Sequence, residues 1–460
     1  MLTEAMDTIP TPFRAPAPIP HAKPLGSIRF VLTASRNPLE IWGQRAYREP
    51  NVQARWLGNP TIIISDPATI RYCLVENAAN YAMQPLRQRV LRPILRDGLL
   101  TAEGELWRRT RKSLAPVFTP RNIHSFAETM HRRSTLFAQG LESRAGTEAD
   151  IAFDMTLLAF DILQATLFTG DIAGEPIEFA KSTAKFLQAM GRVDPLDILD
   201  APAFLPRVRR MLANKTQNYF RRLISDTIER RQQLVAKDPE SAPHDLLTLL
   251  LKAEGLSRSE IEDNIITFIG AGHETTARAL GWALYLLSQA PDERAKVEAE
   301  LDTELDRLVD PIEWAEKLVY TRAALEEAMR LYPPAPSLNR MALEADRFGD
   351  LVIPKGASVL ILPWIVHRHE KLWQNPTCFM PARFLPENRD KIDRYQYLPF
   401  GVGPRVCIGQ SFAMQEGVIA LAALLRHLRF DYTGKRPPMP VQKITVQPDI
   451  GLQMRITKRR

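Results

Sequence analysis

A mainly helical fold with smaller β-sheets is what this sequence predicts, and three observations carry the prediction. Apolar residues recur at helical spacing through the long run from about Ser257 to Ser288. Two shorter segments, Asn51 to Ser65 and Leu351 to Ile361, alternate as hairpins do. No Gly/Ser-rich linker divides the 460 residues into similar halves, so residues 26–460 are expected to form one large domain behind a Pro-rich segment at 1–25.

In chain order, the first 25 residues hold six prolines and no apolar run of about 18 or more, which predicts neither a signal peptide nor a membrane anchor. An extended segment, draped on the surface or disordered, is expected there. The first hairpin turns at Gly58-Asn59, and helical patterns resume near Pro67. In Gly104 to Lys112 an i to i+4 pair, Trp107 and Arg111, shares one helix face. Ala236 to His244, with Pro239 and Pro243, reads as a loop between helices. The long helix has Ser257 or Ser259 as its cap and Pro291 as its stop, and charged helices fill Asp292 to Leu308. Glu327 and Arg330 lie at i and i+3, again on one face. The second hairpin is expected to turn at Lys355-Gly356.

Composition narrows the function classes. The three cysteines, Cys73, Cys378 and Cys407, are odd in number and far apart, so no disulfide framework is predicted and a reducing cytoplasm fits best. The net charge of +7 is spread along the chain with no helix-turn-helix, zinc finger or RNA-binding motif, which argues against nucleic acid. His273-Glu274 starts like a zinc-protease helix, but residue 277 is Ala, so the second histidine is missing.

The chemistry concentrates in Phe400-Gly-Val-Gly-Pro-Arg-Val-Cys-Ile-Gly409. Gly401, Gly403 and Gly409 permit unusual φ values and a close backbone approach to a flat ligand, and Pro404 stiffens the loop. Backbone N–H groups and the positive end of a helix starting near Ile408 favour an ionised Cys407, the form that ligates a metal. With 45% hydrophobic residues the chain can bury a core that encloses a bulky planar cofactor.

Phe-x-x-Gly-x-Arg-x-Cys-x-Gly, filled by Phe400, Gly403, Arg405, Cys407 and Gly409, resembles the heme-binding loop of the cytochrome P450 superfamily. Three further motifs follow the same resemblance. Glu327-Ala-Met-Arg330 is similar to the family's Glu-x-x-Arg helix, and Arg383 in Pro381-Ala-Arg-Phe384 matches its usual partner, with Ala382 in place of the more common Glu. Ala271-Gly-His-Glu-Thr-Thr276 resembles the kinked stretch that crosses the oxygen-binding face of the heme. Trp107, Arg111 and Arg340 match positions that hold the propionates.

The resemblance implies a P450 fold, an α-rich and a β-rich region around buried heme b, iron protoporphyrin IX. It implies a monooxygenase that inserts one atom of dioxygen into a small apolar organic substrate. Cys407 would be the iron ligand, while Ala271, Phe400, Gly401, Arg405 and Gly409 would contact the heme. Thr275 would hydrogen-bond the dioxygen, Glu274 would relay protons, and Glu327, Arg330 and Arg383 would form a structural triad. No reductase is fused, so electrons are expected from a separate ferredoxin or flavodoxin with its reductase, docking on basic residues such as Arg108, Arg109 and Lys112. By the same resemblance the Pro-rich start is expected to be that of a soluble, bacterial-type member.

By the same resemblance Asn80 to Leu100, Leu187 to Leu205, the helix around Phe268 and Ala335 to Leu338 line the pocket. Arg87, Arg89, Arg92 and Arg96 are expected to face solvent on a loop, with a carboxylate-bearing substrate as the alternative. Two other functions stay open at the level of sequence: a peroxide-driven peroxygenase or isomerase, and a non-catalytic heme sensor or electron carrier.

Overall fold

The computed structural model describes residues 12–56, 58–169, 195–198 and 208–459. Ten helices of ten or more residues appear among them: α1 (Ser27–Arg36), α2 (Pro85–Leu95), α3 (Gly104–Leu114), α4 (Ala127–Glu142), α5 (Ile151–Phe168), α6 (Val208–Lys237), α7 (Arg258–Gln289), α8 (Pro291–Glu304), α9 (Val319–Leu331) and α10 (Gln410–His427).

Helix α7 is the axis of the helical region. Ser257 caps it through a capping box with Glu260, and Pro291 opens α8 directly after its end. It packs against α5, α6, α9 and α10, so most of its surface is buried, as expected of a helix with apolar residues on several faces. Helix α5 is the one described helix long and apolar enough to cross a membrane, and it lies mostly buried between α4 and α7.

The largest sheet holds β1 (Asn51–Trp56), β2 (Asn59–Ile64), β3 (Tyr81–Met83), β4 (Arg340–Ala342) and β5 (Ser358–Ile361), in the order β1-β2-β5-β4-β3. The first hairpin forms as predicted, with Trp56 opposite Asn59 and Gly58 at φ 84°. The second does not. Leu351–Ile353 pairs back onto Asp346–Phe348, while β5 runs parallel to β2 and antiparallel to β4. Burial explains the difference: Leu351–Ile353 alternates buried and exposed, which suits a two-stranded edge, whereas Val359–Ile361 is buried on both faces and needs an interior position.

Residues 12–25 are extended and pinned to the core. Ala15 donates to Thr377 at 2.9 Å, Phe13 accepts from Phe379 at 2.9 Å, and Pro16 accepts from the Tyr332 hydroxyl at 2.9 Å. Residues 1–11, and most of the predicted pocket segment from Leu187 to Leu205, lie outside the described residues.

Candidate active site

The Cys407 loop is built as its glycines require. Gly401 has φ 71° and Gly403 φ 76°, and a Cβ on Gly403 would stand 1.9 Å from the Leu74 carbonyl oxygen. Gly409 has an ordinary φ of −91°, which corrects the role expected of it. Its contribution is a backbone N–H donated to the Cys407 thiol as residue 409 leads into α10. The loop closes where Cys407 N–H donates to the Phe400 carbonyl at 2.9 Å. Burial pushes the thiol's pKa up, while the Gly409 N–H and the nearby Arg111 guanidinium pull it back. The side chain still has accessible surface, so deep burial and exposure together place it on the wall of an internal cavity.

Cations gather beside that loop. Arg405 stacks on the Trp107 ring at 4.3 Å, donates to the Ala102 carbonyl at 2.8 Å and pairs with Glu103 at 3.0 Å. Arg340, from β4, is pushed down to about 10 by desolvation and by the charges of Arg87 and Arg405. Arg87 is likewise lowered by burial and by Arg405, and its Nη1 donates to the Ser337 carbonyl at 3.0 Å. Arg111 extends the group toward Cys407 and is also lowered by desolvation.

On α7, buried residues flank a short accessible patch at Gly270–Gly272 and Thr275, with Ala271 exposed in mid-helix. The Thr275 hydroxyl donates to the Ala271 carbonyl at 2.7 Å, so the threonine does draw on a backbone carbonyl. Helix α7 runs unbroken through this stretch. Glu274 is buried: its Oε1 accepts from the Thr445 hydroxyl at 2.9 Å and lies 3.5 Å from Arg278, and its Oε2 has no partner. The Thr276 hydroxyl lies 3.4 Å from Oε2 of Glu416 on α10, which ties this part of α7 to the helix that follows the cysteine. Glu416 is fully enclosed, its Oε1 is unpartnered, and desolvation pushes its pKa up to about 8.

The predicted triad assembles. Arg330 and Glu327 are both fully buried and doubly bonded, at 2.6 and 2.7 Å. Arg330 also donates to the carbonyls of His367, Pro376 and Cys378 at 2.7, 2.8 and 3.0 Å. Arg383 reaches Glu327 at 3.4 Å and the Asn375 carbonyl at 3.0 Å.

Sequence reasoning missed or misplaced several residues. Arg87 lies on a helix, not a loop, and points inward; its spacing to the buried Leu91 and Ile94, i+4 and i+7, was the available signal. Arg92 behaves as expected and pairs outward with Asp97 at 3.0 Å. Glu416 was overlooked, though an acid just before the apolar run Gly417–Leu425 is conspicuous. Arg109 is not a free surface cation, because it donates to the Gly255 carbonyl at 2.7 Å and pairs with Glu260 of the α7 cap.

These residues fit heme b. A thiol with donors aimed at it lies on the cavity wall, two loop glycines sit at φ values that side chains resist, and a group of half-buried arginines has Glu103 as its acidic neighbour among the described residues. A porphyrin with two carboxylates supplies what that charge distribution lacks. The comparisons agree. The cytochrome P450 family model matches residues 27–454, and the chain belongs to that family. It is a heme-thiolate monooxygenase, an oxidoreductase that works with a substrate, oxygen and a redox partner. Among its relatives is the cyclooctatin synthase of Streptomyces melanosporofaciens, 30% identical over 92% of this chain and 90% of that one. Another is the cytokinin hydroxylase of Arabidopsis thaliana, 30% identical over 87% and 79%. The crystal structure of the cytochrome P450DA heme domain superposes with a TM-score of 0.78 at 24% identity, covering 98% of each chain.

Proposed function

We propose that this monooxygenase oxidises a small apolar organic substrate held against α7, with electrons from a separate ferredoxin or flavodoxin, in the cytoplasm. The observation that carries the reading is the Cys407 thiol on the cavity wall, with the Gly409 N–H and Arg111 aimed at it. When bound, the heme supplies the activation of dioxygen.

The chain's own residues do the rest. The Gly409 N–H, the first turn of α10 and Arg111 stabilise the sulfur anion. Arg340, Arg405 and Trp107 would hold the propionate edge of the heme. Thr275 presents its hydroxyl oxygen on the accessible patch while its proton is engaged by the Ala271 carbonyl. Glu274, one residue away, holds a carboxylate whose free Oε2 can take and return a proton, with Thr445 and Arg278 fixing the other oxygen. Phe118 and Phe268, edge to face at 5.2 Å, are part of an apolar wall that keeps water away. The free cysteines support a reducing compartment.

Lys112 and Arg108, which pairs only with the exposed Glu105 at 3.1 Å, stand outward on α3 as the basic residues for an acidic donor, whereas Arg109 is committed to Glu260 and the Gly255 carbonyl. Reversing the charge of Arg108 and Lys112 together should slow reduction and flatten its salt dependence; unchanged rates remove this docking face. The decisive test is the ferrous carbonyl spectrum. Native protein should give the red-shifted band of thiolate ligation and Cys407→Ala should lose it; a native spectrum without that band ends the reading. Turnover with peroxide alone, and none with reduced ferredoxin, would favour a peroxygenase instead.

A further inference from the structure

We propose that Asp346 is a positioning residue for the heme thiolate: it gathers Tyr72, Asn77 and Tyr81 on one carboxylate, fixes the π-helical turn that stands behind Gly403, and thereby sets how the loop holds the Cys407 sulfur. The proposal rests on the heme-thiolate reading and adds to it a residue from outside the loop.

The carboxylate is saturated with donors. Its Oδ1 accepts from the Tyr72 hydroxyl at 2.9 Å and the Arg347 N–H at 2.8 Å, and its Oδ2 accepts from the Tyr81 hydroxyl at 2.6 Å and the Asn77 side-chain amide at 2.8 Å. Desolvation raises its pKa, but these hydrogen bonds outweigh it and hold the acid below its ordinary value, so the group is charged. Hydrogen bonds to an ionised acceptor are the strong ones. Asp346 is itself held on a strand, because Asp346–Phe348 pairs with Leu351–Ile353, and Tyr72 stacks on Phe348 with ring centroids 4.6 Å apart.

Two of its side-chain partners mark the ends of one local distortion. The helix Pro67–Arg71 widens into a single π turn at Tyr72–Glu76, closed where the Asn77 N–H donates to the Tyr72 carbonyl at 2.8 Å. Such turns are rare and occur most often beside functional sites. Arg71 and Glu76 span it from outside at 2.7 Å, where water leaves an ion pair worth little. Asp346 spans it from inside and grips Tyr72 and Asn77 at once. The residues between them meet the cysteine loop: the Leu74 carbonyl and Val75 stand directly against Gly403, and Leu74 shares an apolar core with Val402. Gly403 is a corner of that loop. Its carbonyl accepts from the Val406 N–H at 3.0 Å, and the next residue, Cys407, donates to the Phe400 carbonyl at 2.9 Å. A shift of the π turn therefore reaches the sulfur, and its alignment with the Gly409 N–H, through hydrogen-bonded backbone.

The test uses heme-loaded native protein, Asp346→Asn, Tyr72→Phe and, as a control, Ile353→Val, which loosens the buried face of the paired strand without touching the carboxylate's partners. Asparagine keeps the shape of the side chain but turns an N–H2 group on two of the four donors. The ferrous carbonyl complex of each is held in urea at the same fraction of its unfolding midpoint, and the loss of the red-shifted thiolate band is timed; the ferric/ferrous potential is measured without urea. Breaking hydrogen bonds to a charged acceptor predicts loss of the band about 10-fold faster or more for Asp346→Asn, a smaller acceleration for Tyr72→Phe, and a native rate for Ile353→Val. The potential should move to more negative values in Asp346→Asn, because a sulfur deprived of its N–H donor gives more electron density to the iron, and should stay native in Ile353→Val. A native band lifetime in Asp346→Asn overturns the proposal. Faster loss with a native potential, or the same changes in Ile353→Val, also overturns it, since a merely structural role gives either result. If Asp346→Asn takes up no heme, Tyr72→Phe decides: a shortened band lifetime with a shifted potential sustains the proposal, and native values remove it. A native protein without the thiolate carbonyl band would fail the heme-thiolate reading itself, an outcome independent of Asp346.

Discussion

The arginines of the triad and the half-buried arginines beside the Cys407 loop are opposites. In the triad, the five N–H donors of Arg330 all find acceptors, two on Glu327 and three on backbone carbonyls. In the cavity cluster, Arg340 feels the charges of Arg87 and Arg405, Arg87 feels that of Arg405, and Glu103 is the acidic neighbour of Arg340 and Arg405. A closed polar unit holds elements in place, as the triad joins α9 to the loops around His367 and Cys378. An open one is a binding site, because a surplus of buried like charge becomes tolerable only when something else supplies the opposite sign.

The sharpest way to break this contrast is Glu327→Ala. It strands Arg330 without its counter-ion, and removing one partner of a buried pair costs about 3–5 kcal/mol. Apo protein should then fold poorly, seen as a loss of urea midpoint; a cost below about 1 kcal/mol would show that the triad is not closed in the sense argued.

Next comes Glu416, an acid enclosed without a cation. Its pKa of about 8 in the folded chain stands above the ordinary 4.5, so the fold favours the protonated form. Below the lower value both states are protonated and the contribution is intact; between the two, unfolding releases a proton and stability falls by about 1.4 kcal/mol per pH unit. Glu416→Gln keeps a partner for Thr276 and removes that slope. Its stability advantage over native protein should therefore grow from pH 5 to pH 8, and parallel urea curves at the two pH values would refute the assignment.

Arg340→Leu tests the open cluster from the other side. Relieving repulsion should leave apo stability unchanged or higher, while heme release quickens by about 10- to 100-fold, the loss of one hydrogen bond to a charged group. A destabilised apo protein with native release would make the cluster structural, like the triad. The smallest effect belongs to Ser257→Ala, which removes the α7 cap for about 1 kcal/mol. It should leave heme release untouched, since the cap lies more than a dozen residues before the Ala271–Thr275 patch.

Legibility in the sequence followed the range of the interaction. The Cys407 loop, the Ser257 cap, the Pro291 stop, the first hairpin and the Glu327–Arg330 spacing are local patterns, set by turn chemistry and helical repeat within about ten residues, and each reads directly from the chain. The second hairpin failed because strand partners are chosen by burial: β5 was drawn into the interior beside β2, nearly 300 residues earlier in the chain.

The sequence by itself determined that a cysteine is held in a glycine-shaped loop ahead of a helix, and so determined the class of chemistry. Only the tertiary structure decided which charges face the cavity and which are spent elsewhere. It turned Arg87 inward, locked Arg109 onto Glu260 and enclosed Glu416 against Thr276. Those outcomes depend on desolvation and on partners from distant segments, and neither has a signature in the spacing of neighbouring residues.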